Sequence, residues 1–104
     1  MKTSELIKLL GTFLPSSPVK VSIDGELNPI GKVYHEPSNT FIQAGNGGEI
    51  ATVFDLIERL NAIDKSVPFD ASVVSGDDWN YMVVQGVSTV GEALVISLSE
   101  PVFG

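Results

Sequence analysis

Displaced by fifty positions, this sequence falls on itself. Glu5-Leu6-Ile7-Lys8-Leu9-Leu10 overlies Asp55-Leu56-Ile57-Glu58-Arg59-Leu60, and Phe13, Ser16, Pro18, Ser22 and Ile23 fall on Ile63, Ser66, Pro68, Ser72 and Val73. About three extra residues in the second copy then bring Phe41-Ile42 near Leu94-Val95. At 104 residues the chain can bury one modest core but not two. Two half-sized units must therefore share a core, which is the strongest constraint on the fold.

Each copy opens with a helix pattern. Leu6, Leu9, Leu10 and Phe13 recur at the spacing of one helical face, as do Phe54, Ile57, Leu60 and Ile63. Thr3 or Ser4 is a candidate cap for the first, and Leu14-Pro15 a stop. Thr52 followed by Asp55 reads as a capping box for the second. The spacing predicts helices of about ten to thirteen residues, too short to be stable undocked.

Strand patterns follow. Val19, Val21 and Ile23 alternate with polar residues, and Phe69, Ala71 and Val73 do so in the second copy. Asp24-Gly25 and Ser75-Gly76-Asp77 have turn chemistry that reverses the chain into hairpins. Further strands are expected at 30–35 and 40–44, and at 81–87 and 93–98. The expected architecture is α+β: a duplicated αβββ unit forming a mostly antiparallel six-stranded sheet with both helices on one face. Its repeats are 1–45 and 49–104, joined by the Gly-rich linker 45–48. No Lys-Ser or Lys-Thr follows that glycine run, so it lacks the chemistry of a phosphate loop. The second copy is richer in large apolar strand residues and is expected to supply more of the core.

Charge is distributed unequally. The formal net charge is −7, and residues 1–45 are balanced. Residues 46–104 hold nine acids against Arg59 and Lys65, so the whole imbalance lies there. A field of this sign repels phosphates and anionic membrane surfaces and attracts basic partners. Direct nucleic-acid or membrane binding is not expected. With no cysteine, neither disulfides nor thiolate metal sites arise, and a reducing cytoplasm is the expected compartment. The first residues lack the continuous apolar run of a signal peptide.

Catalytic constellations are missing. His35 is the only histidine and has no nucleophile beside it in sequence; it reads as a solvent-facing residue at a strand end. Asp77-Asp78 with Asp70, Glu92 or Glu26 lacks the spacing of a calcium loop, so no metal or other cofactor is expected. The segment that stands out is Gly76-Asp77-Asp78-Trp79-Asn80-Tyr81, where the copies diverge most and where the single tryptophan lies. Asp77, Asp78, Trp79 and Tyr81, with Asp70, are the candidate partner-binding residues: aromatic anchors beside carboxylates that select a basic surface. The alternative for Trp79 is that it folds over the sheet edge or closes the core beneath the hairpin.

Leu6, Ile7, Leu9 and Leu10, then Pro15-Ser16-Ser17-Pro18, then Val19-Lys20-Val21-Ser22-Ile23-Asp24-Gly25 resemble a layout found in many short phage and bacterial reading frames. These begin with a Leu-rich helix, turn through Pro, Ser and Asp, and enter a Pro-Val-x-Val strand. The resemblance implies a small accessory protein, phage- or prophage-borne and acting in the cytoplasm of the host; it implies no site residues. Three function classes follow. The first is a non-enzymatic inhibitor that contacts a basic protein. The second is an oligomeric protein that sequesters a small molecule, and the third an assembly subunit; a homo-oligomer is compatible with both.

Overall fold

A computed structural model describes residues 1–46, 50–76, 80–99 and 102–103. Among them the chain forms α1 (Thr3–Leu10), β1 (Val19–Ile23), β2 (Glu26–Asn28), β3 (Ile30–Glu36), β4 (Asn39–Ala44), α2 (Val53–Ser66), β5 (Ser72–Gly76), β6 (Asn80–Val90), β7 (Ala93–Leu98) and β8 (Val102–Phe103). Seven strands lie in the order β2-β1-β7-β6-β5-β4-β3, and β8 pairs with β6 beyond β7. The β1–β7 and β4–β5 pairs are parallel and the rest antiparallel. The protein is thus α+β, with a mostly antiparallel, curled sheet. Its end strands, β2 and β3, are separated in the chain only by Pro29, so the curl brings the two ends of the sheet together.

Leu6 and Leu10 of α1 and Val53, Leu56, Leu60 and Ile63 of α2 join one apolar cluster with Val19, Val21, Ile42, Val73 and Ile96 of the strands. Both helices therefore bury an apolar stripe against the same core, which a short helix needs to persist. On α2 it runs through Val53 and Leu56, and Phe54, expected on that face, is instead 53% exposed. Pairing in the two halves of the sheet repeats at one offset. Ile30 faces Ala44 as Val84 faces Leu98, 54 positions on, and Lys32 faces Gln43 as Gly86 faces Ser97. Both ladders carry a bulge at the same step, on Gly31 and on Gln85. The parallel pairs exchange in the same way, Val19 with Leu94 and Val73 with Thr40. The helices dock alike but at an offset of 50: the Thr3 N–H donates to Ala71 O (2.8 Å) and the Val53 N–H to Ser17 O (2.9 Å).

Several expectations need correction. The additional residues of the second copy, four on this register, come before β5 rather than after it, because α2 runs on to Ser66 whereas α1 stops at Leu10. The strand expected at 68–73 therefore begins at Ser72, and Phe69 stays outside it, 46% exposed. Helix α1 ends before Leu14-Pro15. The Thr12 hydroxyl donates to Leu9 O (2.7 Å) and competes for the carbonyls of the last turn. Neither Thr3 nor Ser4 is the N-cap of α1; Lys2 is, and the Thr3 hydroxyl is buried against Thr40 and Ala71 O. Thr52 and Asp55 do form the expected reciprocal box on α2.

The Asp24-Gly25 hairpin forms with both residues at positive φ (52° and 78°), the geometry that suits a two-residue loop. Strand β2 leaves no trace in the sequence pattern: three residues before a proline are too few to show a period. Proline cannot donate to a ladder, so Pro29 splits into β2 and β3 what is unbroken in β6. Gly45, expected in a linker, is part of the fold. Its N–H donates to Pro29 O (3.0 Å), and its backbone lies so close to Gly31 that a Cβ on Gly31 would stand 3.0 Å from Gly45 Cα.

Candidate functional site

Of the candidate residues, Asp77, Asp78 and Trp79 lie outside the described residues; the strand ends that flank them do not. Gly76 pairs with Tyr81 as the last described rung of β5 and β6. Gly76 is also held from β4. The parallel β4–β5 ladder ends at Phe41–Val74, and the Gln43 amide continues it, accepting from the Gly76 N–H (3.0 Å) and donating to Gly76 O (2.5 Å). The same amide reaches the Tyr34 hydroxyl (3.1 Å), whose ring stacks on Phe41 at 5.3 Å. A side-chain amide thus stands in for a missing backbone rung, and the strand ends on either side of the acidic stretch are fixed. Tyr81 is half-buried at this position. Gln43 gives no signal in the sequence, because an isolated glutamine in a strand carries no pattern.

Asp70 belongs elsewhere. It precedes β5 by two residues while Tyr81 pairs at the far end, so roughly 20 Å of extended chain separates them. Its carboxylate accepts from the Ser4 N–H (3.0 Å) and from the Ser4 hydroxyl, at the first turn of α1. The Ser4 hydroxyl, then the Ser4 N–H, hold its carboxyl below the ordinary 3.8, and the positive charge of Lys2 adds to this. Asp55 does the parallel service for α2: the N–H groups of Ala51 and Thr52 lower its carboxyl. Asp55 and Asp70, two acids of the second half, are therefore engaged at helix starts.

The two junctions between a helix and the sheet differ in their side chains. Beside α1, Phe69 from the α2–β5 connection meets His35 edge-on, ring centres 5.7 Å apart. His35, expected to face solvent, is half-buried, and among the described residues its buried Nδ1 has no hydrogen-bond partner. On the offset of 54, Thr89 takes the place of His35 and Pro15 that of Phe69. Here the Pro15 carbonyl accepts from the Phe54 N–H (3.0 Å). An open cleft of about 500 Å³ lies there, between residues of the α1–β1 connection (Phe13, Leu14 and Ser16 among them) and Thr89, Gly91 and Glu92 of the β6–β7 turn. Leu14 is 72% exposed on its rim.

Among the described residues no cluster of three or more His, Asp or Glu side chains could hold a metal ion, and no helix is long and apolar enough to cross a membrane. No protein-family model matches the chain, and neither a curated protein nor a solved structure is significantly similar to it.

Proposed function

We propose that this is a non-enzymatic binding protein that engages a basic protein partner through the acidic stretch between β5 and β6. One observation carries the reading: the half of the chain that holds the entire net charge also holds a Trp- and Asp-containing stretch whose flanking strand ends are fixed by Gln43 and by the Gly76–Tyr81 pair. Rigid flanks reduce the ordering cost of binding, carboxylates steer a basic partner, and an aromatic anchor supplies contact area. The accessory role implied by the resemblance to short phage and bacterial proteins fits such a partner-directed protein.

We also infer an internal duplication of the αβββ unit. Its support is the sequence overlay of α1 on α2 together with the ladder and bulge positions repeated at an offset of 54. Divergence of 77–79 from its counterpart then marks where one copy took on the contact.

The test compares capture by the parent protein and by the double variant Asp77→Asn/Asp78→Asn from the same host lysate, across a salt gradient. The expected result is a basic protein retained by the parent, released at moderate salt and lost with the double variant. Equal retention of the same proteins by both would overturn the reading.

A further inference from the structure

We propose that the cleft between the α1–β1 connection and the β6–β7 turn receives an aromatic side chain carried on a basic segment of the partner. The occupant is argued from the molecule itself. At the corresponding place in the other half, the chain sets a ring of its own: Phe69, half-exposed, lies edge-on to His35. The correspondence is fixed on both sides, by the ladders that relate His35 to Thr89 and by the helix-docking bonds that relate Ala71 to Ser17. Two residues before Ser17 and Ala71 stand Pro15 and Phe69. The cleft is lined by Leu14 and Ser16, the neighbours of Pro15 in the chain, and by Thr89, the counterpart of His35, so it lies where the first half has a proline in place of that phenylalanine.

The lining selects the occupant further. Phe13 and Leu14 offer apolar walls, and Leu14 is mostly exposed. Thr12, Ser16, Ser17, Thr89 and Gly91 complete the lining, and Glu92 is the single charged lining residue among those described. No cation stands opposite Glu92 among the lining residues, and the half to which it belongs is strongly acidic. An aromatic ring flanked by a lysine or arginine matches both features: the ring replaces the absent plug, and the cation meets the carboxylate. This rests on the reading of a basic protein partner and adds a second contact distinct from residues 77–79.

The test is a titration of the isotope-labelled protein followed through its backbone amide signals. The probe is an end-capped Lys-Phe-Lys tripeptide, with Lys-Ala-Lys and Glu-Phe-Glu as controls. Saturable shifts are expected at Ser17, Thr89, Gly91 and Glu92 with Lys-Phe-Lys, and much weaker ones with either control. Pro15→Phe, which supplies the ring from within, should weaken binding roughly tenfold. Glu92→Gln should weaken it about threefold, as for an exposed ion pair. Leu14→Ser keeps the test independent of folding, since that side chain is mostly exposed, and should also weaken binding. Shifts centred elsewhere, equal shifts with Lys-Ala-Lys, or indifference to Leu14→Ser would overturn the inference. Because the tripeptide titration needs no natural partner, its failure leaves the Asp77/Asp78 capture result standing. Failure of that capture, conversely, leaves the cleft's preference measurable.

Discussion

The two helix–sheet junctions share a backbone frame and differ in what fills it. At the start of α1, Asp70 reaches across from the β5 side to hold Ser4, and Phe69 covers His35. At the start of α2, Thr52 and Asp55 form a local box as Lys2 and Glu5 do on α1, and the Phe54 N–H, counterpart of the Ser4 N–H, is met by the Pro15 carbonyl instead of a carboxylate. The connection there carries Pro15 and Ser16 in place of Phe69 and Asp70, and the junction opens as a cleft. The comparison teaches that ladders and helix docking set where a site lies, while two or three loop residues decide whether it is closed or open.

The frame itself is tested first. Leu10→Ala and Leu60→Ala remove fully buried side chains at matching places on the two helices. Each should cost about 3 kcal/mol in denaturant unfolding, and the two costs should agree to about 1 kcal/mol. A large inequality would mean that the two helices do not share the core equally. Next come the bulges. Gly31→Ala drives a Cβ into the Gly45 backbone and should cost about 2 kcal/mol. Gln85 occupies the matching bulge with an exposed side chain, so Gln85→Ala should cost less than about 0.5 kcal/mol. Equal costs would dissolve the contrast between a close backbone approach and a permissive one.

Phe69→Ala removes a half-exposed ring and should cost about 1 kcal/mol in thermal or denaturant unfolding. It should also open a second cleft, seen as new amide shifts around His35 in the Lys-Phe-Lys titration. The smallest effect concerns pH. The Asp55 and Asp70 carboxyls lie below the ordinary 3.8 in the folded protein, so the unfolded chain binds more protons in that range. Their contribution is fully present above the ordinary carboxylate range and is lost as pH falls through the lowered folded values. Asp70→Asn should flatten the acid limb of the stability curve, measured by thermal unfolding between about pH 5 and about pH 2. An unchanged limb would mean that the Ser4 bonds add nothing at the α1 junction.

Much of the architecture is legible from local pattern. The apolar faces of Leu6 and Leu10, and of Leu60 and Ile63, mark both helices, and Thr52 marks the start of the second, because a helix period and a cap lie within one or two turns of chain. Asp24-Gly25 marks its hairpin because that turn demands positive φ at both residues. The candidate site is legible only in composition. The uneven charge and the divergent stretch around Trp79 can be read along the chain, but composition groups Asp70 with them, and its carboxylate serves α1 instead.

Local pattern along the chain names core positions such as Leu6, Leu10, Leu60, Ile63, Val19 and Val21 and roughly where the elements lie, since periods of two and 3.6 are properties of neighbouring residues. The same pattern also places Phe54 and Phe69 inward, and both are half-exposed. Tertiary structure alone decided which strands pair. The parallel ladders join Val19 to Leu94 and Thr40 to Val73, and a period-two pattern names a buried face without naming the strand beside it. It also decided that β5 begins at Ser72, that Gly31 must admit Gly45, and that Gln43 supplies a rung where the β4–β5 ladder ends. In each case the deciding contact joins residues far apart in the chain, where no local pattern can record it.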